Sequence, residues 1–345
     1  MLPPEYLILE EGFFYFMVAK YGSGITDVPG VKVGHWTDEF SMTGCTVVIC
    51  DLGAVGGVDV RGSSPGTRET DLLSPYKKIE RINAVLIGGG SAYGLAAADG
   101  VMNYLEERGK GFKIGTNTVP IVPAAILFDL SVGDGRIRPS SSEGYIACEN
   151  SSHGIVQTGS VGAGTGATVA KVLGLDSSIK GGIGSSSVFL GDDLVVGAVM
   201  AVNAIGSIHD PHTGELIAGA RDQNNEMISA NQVLLERGYE NKADLGSNTT
   251  IGIIATNAKL SKTEANQVAS VSHDGIALAV RPAHLLGDGD TMFALSTGET
   301  KNFDLDQIIA VAVQVTSMAV LNAVKTAKSL GGIPSLDDRY SGGVL

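Results

Sequence analysis

The sequence predicts a mixed α/β fold, and three observations carry it. Short apolar runs rich in β-branched residues recur along the chain, most of them bounded by Gly, Asp or Asn. Helical patterns lie between them. Glycine supplies 47 of the 345 residues, roughly twice the usual share of ~7%, which suits closely packed layers joined by sharp turns. Runs 46–50, 84–87, 193–202, 251–256 and 292–296 read as strands. A first helix is expected over 92–108, where Leu95, Ala98, Val101, Met102 and Leu105 recur at helical spacing before Glu106, Glu107 and Arg108; Gly94 and Gly100 weaken the pattern. A second is expected over 263–280, with Ser261 and Glu264 as a capping box and Arg281-Pro282 as the stop. A third covers 305–329 and ends at Gly331-Gly332. Strands and helices do not alternate one for one, so a doubly wound sheet is not required. No repeat, low-complexity tract or Pro-rich linker interrupts the chain, which fits one compact domain.

Composition narrows the function classes. The chain is 43% apolar and 18% charged, which excludes intrinsic disorder. Its formal net charge of −13 excludes a general nucleic-acid binder, which needs a basic stripe against phosphates. The three cysteines, Cys45, Cys50 and Cys148, form no C-x-x-C pair, so they suggest buried thiols in a reducing compartment. Residues 1–24 read as an accessory extension. Their apolar run, 13–19, is too short to span a bilayer, and Glu5, Glu10 and Glu11 stand where a signal peptide carries positive charge. Segment 308–320 is strongly apolar but short and contains Gln314, Thr316 and Ser317, so a core helix is expected. The expected location is the cytoplasm.

Four segments could carry chemistry, and each also reads as ordinary turn structure. Gly162-Ala-Gly-Thr-Gly166-Ala-Thr-Val-Ala-Lys171 resembles a phosphate loop but lacks Gly-Lys-Ser/Thr. As a dinucleotide loop it lacks a preceding strand, and Asp192 or Asp193 gives poor support for the ribose contact. His209-Asp-Pro-His212 could offer two metal ligands, but no third stands nearby and Pro211 suggests an exposed loop. Asp288-Gly-Asp290-Thr291 puts two carboxylates on one side of an extended segment, where they can split acid and base roles. Gly246-Ser-Asn248-Thr249-Thr250 leads into an apolar strand. An Asn-Thr bond can self-cleave by an N→O acyl shift, and the freed α-amine, with a reference pKa near ~8, can act as base for its own hydroxyl.

Together, and in this order, these segments resemble the DmpA-like family of N-terminal-nucleophile (Ntn) hydrolases, which includes L-aminopeptidase/D-esterases, β-peptidyl aminopeptidases and nylon-oligomer endo-hydrolases. The resemblance spans roughly residues 25–300. It is carried by Ile25-Thr-Asp-Val-Pro-Gly-Val-Lys-Val-Gly-His35, Asp59-Val-Arg-Gly-Ser-Ser-Pro-Gly-Thr-Arg-Glu-Thr-Asp71, Gly88-Gly-Gly-Ser-Ala-Tyr-Gly-Leu-Ala-Ala-Ala-Asp-Gly100, Val122-Pro-Ala-Ala125, the 162–171 segment, Val202-Asn-Ala-Ile-Gly206, Asn248-Thr-Thr-Ile251 and Asp288-Gly-Asp-Thr291.

The resemblance implies a four-layer α/β/β/α sandwich of the type shared with ornithine acetyltransferase. It implies a single domain over 25–345, self-cleaved after Asn248 into associated fragments 1–248 and 249–345, with Thr249 as the nucleophile. Asp288 and Asp290 match the acidic pair that orients the nucleophile and its amine, Asn203 the oxyanion amide, and Lys171 a lysine near the nucleophile. Phe128 stands where some relatives carry Tyr. The implied protein is an aminopeptidase on small peptide or amide substrates, needing no cofactor or metal, acting on neither nucleic acid nor membrane, and forming a homo-oligomer, a tetramer or larger. The alternatives are an acyltransferase on the same fold, a hydrolase of non-peptide amide oligomers, a nucleotide-binding module using 162–171, and an unprocessed, non-catalytic binding protein.

Overall fold

A computed structural model describes residues 19–191, 193–238 and 248–340. Residues 1–18 of the expected extension, Asp192, and Gly246-Ser247 ahead of the Asn-Thr bond lie outside the described residues.

Ten strands form one continuous sheet. They are β1 (Ala19–Tyr21), β2 (Val31–Asp38), β3 (Thr43–Val60), β4 (Gly66–Arg68), β5 (Arg81–Gly88), β6 (Ala124–Ile126), β7 (Gly182–Leu190), β8 (Leu194–Asn203), β9 (Thr249–Ala258) and β10 (Thr291–Thr300). Their spatial order is β1-β7-β8-β9-β10-β3-β5-β6-β4, with β2 also paired to β3. The helices that matter here are α1 (Ala97–Glu107), α2 (Ser141–Glu149), α3 (Ala230–Arg237), α4 (Lys262–Ala279) and α5 (Leu305–Lys325).

The sheet folds into two layers because β3 serves both. Its end, 55–60, pairs antiparallel with β10, while its first half pairs with β2 and β5. The β3–β5 register slips between Ile49 and Ala54, at the bend. Side-chain alternation then sorts residues to opposite faces of each layer. Val199, Ala201, Ile253 and Phe293 meet Val48, Cys50, Val85 and Ile87 in the middle core. On the reverse faces, Ala198, Met200, Ile254 and Met292 pack under α4 and α5, and Val47, Ile49 and Leu86 pack under α1 and α2. The result is the α/β/β/α layering.

The helices follow much of the sequence pattern, with differences that include α3, which the sequence does not announce. Residues 91–96 form a 3-10 turn before α1 begins. The third helix stops at Lys325, where Thr326 caps it, rather than running on to Gly331-Gly332. Capping box Ser140/Glu143 starts α2, which periodicity alone does not announce. The Ser261/Glu264 box opens α4 as expected. Helix α5 is long and apolar enough to cross a membrane, but its Val315, Ala319, Val320 and Ala323 are buried in the core. Its approach is close: a Cβ on Gly184 of β7 would meet Ala319 O at 1.9 Å. Residues 19–21, assigned by sequence to the extension, are instead edge strand β1, antiparallel to β7. All three cysteines are free and buried. Burial pushes the Cys50 and Cys148 thiols up to about 12, so they remain protonated packing groups.

Candidate active site

Strand register gathers the site at one edge. Thr249 opens β9 and lies opposite Asn203, the last residue of antiparallel β8. On its other side β9 runs parallel to β10, with Ile251 opposite Thr291, so the Asp288–Asp290 segment entering β10 lies beside Asn248-Thr249. The β9–α4–β10 crossover makes this parallel pairing possible. Loop 61–64, leaving β3, closes over the segment: Arg61 and Gly62 donate N–H bonds to Asp290 O, and Ser64 N–H donates to Asp288 O at 2.9 Å.

The Asn248 carbonyl is the focus. The Thr249 hydroxyl donates a hydrogen bond to its oxygen. Gly289 N–H donates to the same oxygen at 2.9 Å. Thr249 is only 3% exposed. Gly289 must be glycine for this arrangement, since a Cβ there would stand 2.8 Å from both Thr249 Oγ1 and Ser64 O.

The two carboxylates have different surroundings. Asp290 Oδ1 accepts Thr250 N–H at 2.6 Å, and Oδ2 accepts His284 N–H at 3.2 Å and contacts His284 Nδ1 at 2.8 Å. Asp288 Oδ2 accepts Leu285 N–H at 2.6 Å, while its buried Oδ1 has no partner among the described residues. Burial, reinforced by the neighbouring Asp290 charge, raises Asp288 to about 7, partly opposed by the Leu285 N–H, Lys171 and His284. Close like charges favour leaving one proton on such a pair, and the environments put it on Asp288.

Lys171 and Asn203 form the opposite wall. Lys171 Nζ donates to Asn203 O at 3.1 Å and to Asn203 Oδ1 at 2.9 Å. Thr168 N–H donates to the same Oδ1 at 3.0 Å, and Asn203 Nδ2 donates to Phe128 O at 3.0 Å. The amide is thereby oriented, and Phe128 takes part through its backbone. The six residues singled out from the sequence, Lys171, Asn203, Asn248, Thr249, Asp288 and Asp290, come together here.

The glycine-rich segment is not a phosphate cradle. Gly162 N–H is bonded to Thr37 Oγ1 at 2.8 Å, Ala163 N–H to Thr46 Oγ1 at 3.1 Å, and Gly164, Thr165 and Ala167 N–H groups to carbonyls within the turn. Five of its amides are thus bonded within the protein. Beneath it lies fully buried Lys180, whose Nζ donates to Thr165 O at 2.6 Å and Ala167 O at 2.8 Å. Desolvation lowers Lys180 to about 7, and Asp129 opposes that shift. The His-Asp-Pro-His segment divides: His209 is a buried strand residue contacting Gly214 O through Nδ1, whereas residues 210–213 form a turn capped by Asp210. Among the described residues, no three His, Cys, Asp or Glu side chains gather to hold a metal.

Sequence reasoning missed His284, Lys180 and Ser64. His284 had one local signal, its place six residues before Asp290 in the segment that leads into β10. Lys180 had none, because nothing in its neighbours marks a lysine as fully buried.

Comparison with known proteins agrees with this geometry. The model of peptidase family S58 matches residues 23–336. An uncharacterised aminopeptidase of Mycobacterium leprae is 41% identical, covering 94% of this chain and 96% of its own. A 6-aminohexanoate-oligomer endohydrolase of a Kocuria species is 32% identical over 79% of this chain and 74% of its own. The structure of L-aminopeptidase D-Ala-esterase/amidase from Ochrobactrum anthropi, described as a variant of the Ntn hydrolase fold, superposes with a TM-score of 0.70. It covers 90% of this chain and 88% of its own, at 20% identity. With the Ntn-type layering, the Asn-Thr bond at a central strand's start and a family match over nearly its whole length, the chain belongs to peptidase family S58, hydrolases of peptide and amide bonds.

Proposed function

We propose that the chain cuts itself between Asn248 and Thr249 and then works as an aminopeptidase with Thr249 as nucleophile. The observation that carries this reading is the convergence of the Thr249 hydroxyl and Gly289 N–H on one carbonyl oxygen. Attack of Oγ1 on the Asn248 carbonyl carbon puts negative charge on that oxygen, where the Gly289 donor already points. The C–N bond then breaks and the nitrogen takes the proton that Oγ1 gave up, leaving Asn248 esterified to Oγ1. Water hydrolyses the ester, giving an Asn248 carboxylate and a Thr249 with a free α-amine.

In turnover the α-amine takes the Oγ1 proton as Oγ1 attacks the substrate carbonyl. The proton passes to the leaving amine, and water releases the acyl group. Asp290 and Asp288 flank the new amine and hold its orientation. The Lys171 cation, fixed on Asn203, supplies positive potential on the other side of the nucleophile. Fragments 1–248 and 249–345 stay associated through the β8–β9 and β3–β10 pairings. The expected homo-oligomer is read by light scattering on the purified protein.

Denaturing mass spectrometry tests the cut directly, with a split at 248/249 expected. Thr249→Ala is expected to stay intact and inactive, and an active Thr249→Ala enzyme would sink the proposal. Screening p-nitroanilides of α- and β-amino acids beside linear 6-aminohexanoate oligomers defines the substrate class. Acyl transfer to ornithine or glutamate exceeding hydrolysis would favour the acyltransferase reading instead.

A further inference from the structure

His284 plays no part in the chemistry above, yet it is tied to it by two contacts to Asp290. Its φ is +60°, a left-handed conformation uncommon outside glycine and most tolerated by Asn, Asp and His. Two successive amides from this bend meet the acidic pair: His284 N–H reaches Asp290 Oδ2, and Leu285 N–H reaches Asp288 Oδ2. The imidazole then adds Nδ1 to the same Asp290 oxygen at 2.8 Å. Its outer edge meets the ring of His273 on α4, centroids 5.0 Å apart and planes at 71°. His273 is fully buried, with Nε2 3.1 Å from Asp59 O. Burial holds its pKa down at about 4, so it is a neutral wall whose Nε2–H is the donor to that carbonyl.

We propose that His284 is the positioning residue for Asp290: its Nδ1–H tautomer donates to Oδ2 and sets the plane of the carboxylate, so that Oδ1 stays on Thr250 N–H beside the nucleophile. Carboxylate rotation about the terminal bond is broad, and a single bond from Thr250 would leave it free to pivot. Two donors on the second oxygen remove that freedom. The charged or titratable groups around the imidazole are Asp290 and Asp288 from its own connection and His273 from α4, with Asp59 and Arg61 behind His273. The proposal rests on the reading of Thr249 and Asp290 as catalytic partners.

Two variants separate positioning from packing. Asn places its amide where Nδ1 stands, while Gln places it where Nε2 stands, and both are polar. In fully processed enzyme, His284→Asn is expected to keep kcat within about threefold of wild type. His284→Gln is expected to lose roughly 10- to 100-fold in kcat at unchanged KM, because the Asp290 carboxylate loses the donor that fixes its plane. Equal losses in both variants, accompanied by equal losses in melting temperature, would reduce His284 to packing. A second readout needs no active variant: ¹⁵N-histidine spectra of the uncleaved Thr249→Ala chain, with His284 assigned by its absence from a His284→Asn sample. The expected signal is an Nδ1–H tautomer, and an Nε2–H tautomer overturns the proposal. A fully active Asp290→Asn enzyme would remove the underlying catalytic reading instead, whatever the tautomer.

Discussion

Replacing Gly289 with alanine tests whether the Thr249 hydroxyl attacks from where it stands. The added methyl would lie 2.8 Å from Thr249 Oγ1 and 2.8 Å from Ser64 O. Ordinary contact begins near 3.4 Å, so the overlap is 0.6 Å on each side. Ser64 O is backbone, held by a loop whose 61, 62 and 64 amides are bonded to the 288–290 segment. The hydroxyl is therefore the group that gives way, and the Gly289 N–H donor shifts with the strained chain. A displacement approaching 1 Å costs up to about 10²-fold in an aligned reaction, so self-cleavage is expected to slow roughly 30- to 100-fold. Overpacking is expected to cost about 1–3 kcal/mol of stability, small enough for the chain to fold. The assay follows intact mass after dilution from denaturant, beside a thermal melt. Gly154→Ala is the control, since its methyl would meet only Ser152 Oγ, at 3.4 Å. A Gly289→Ala chain cleaving at the wild-type rate would refute the reasoning.

The remaining predictions concern charge. Asp288 is raised in the folded state above its unfolded value of 3.8, so the folded chain binds the extra proton; stability from this group is full below pH 4 and falls as pH rises toward 7. Asp288→Asn is expected to flatten that part of the melting-temperature profile, and an unchanged slope would count against the protonated-carboxyl assignment. Lys171→Met removes the cation on Asn203 and is expected to lower kcat by about 10²- to 10³-fold, measured on processed enzyme. Lys180→Met leaves two buried carbonyls without their donor and Asp129 without its nearby cation. It is expected to destabilise by about 3 kcal/mol in urea unfolding, and a neutral result would mean the buried ammonium contributes little. Calorimetry with ATP or NAD is expected to show no saturable binding, because five amides of the glycine-rich turn are already bonded within the protein.

Much of the architecture was legible because most strands are buried on both faces and so read as continuous apolar runs, as 194–202 and 251–256 do. Strand β7 was not. Its sequence, Gly-Ile-Gly-Ser-Ser-Ser-Val-Phe-Leu, resembles a loop because the close approach of α5 to Gly184 selects against side chains there. Strand β3 was read only in its first half, since a register slip interrupts the pattern where the strand changes layers. The site residues were legible only as a set: Asn248-Thr249 or Asp288-Gly-Asp290 alone looks like a turn, and it is the β8–β9–β10 register that makes them neighbours. His284 escaped because its contribution depends on a left-handed backbone, which a histidine does not advertise.

Strand β9 lies between antiparallel β8 and parallel β10, in the middle of the ten-stranded order. A chain severed at its first residue loses no pairing, yet its thermodynamics change in kind. The intact polypeptide unfolds and refolds as one molecule, with loop closure holding the two parts at a high effective concentration. The severed one unfolds into two chains and can refold only by their meeting. Its melting temperature therefore rises with protein concentration, and dilution from denaturant recovers less of it than of the uncut precursor. Under the proposed self-cleavage, folding before cutting is the one efficient route to a severed molecule, and the uncut chain would act as a folding template used a single time.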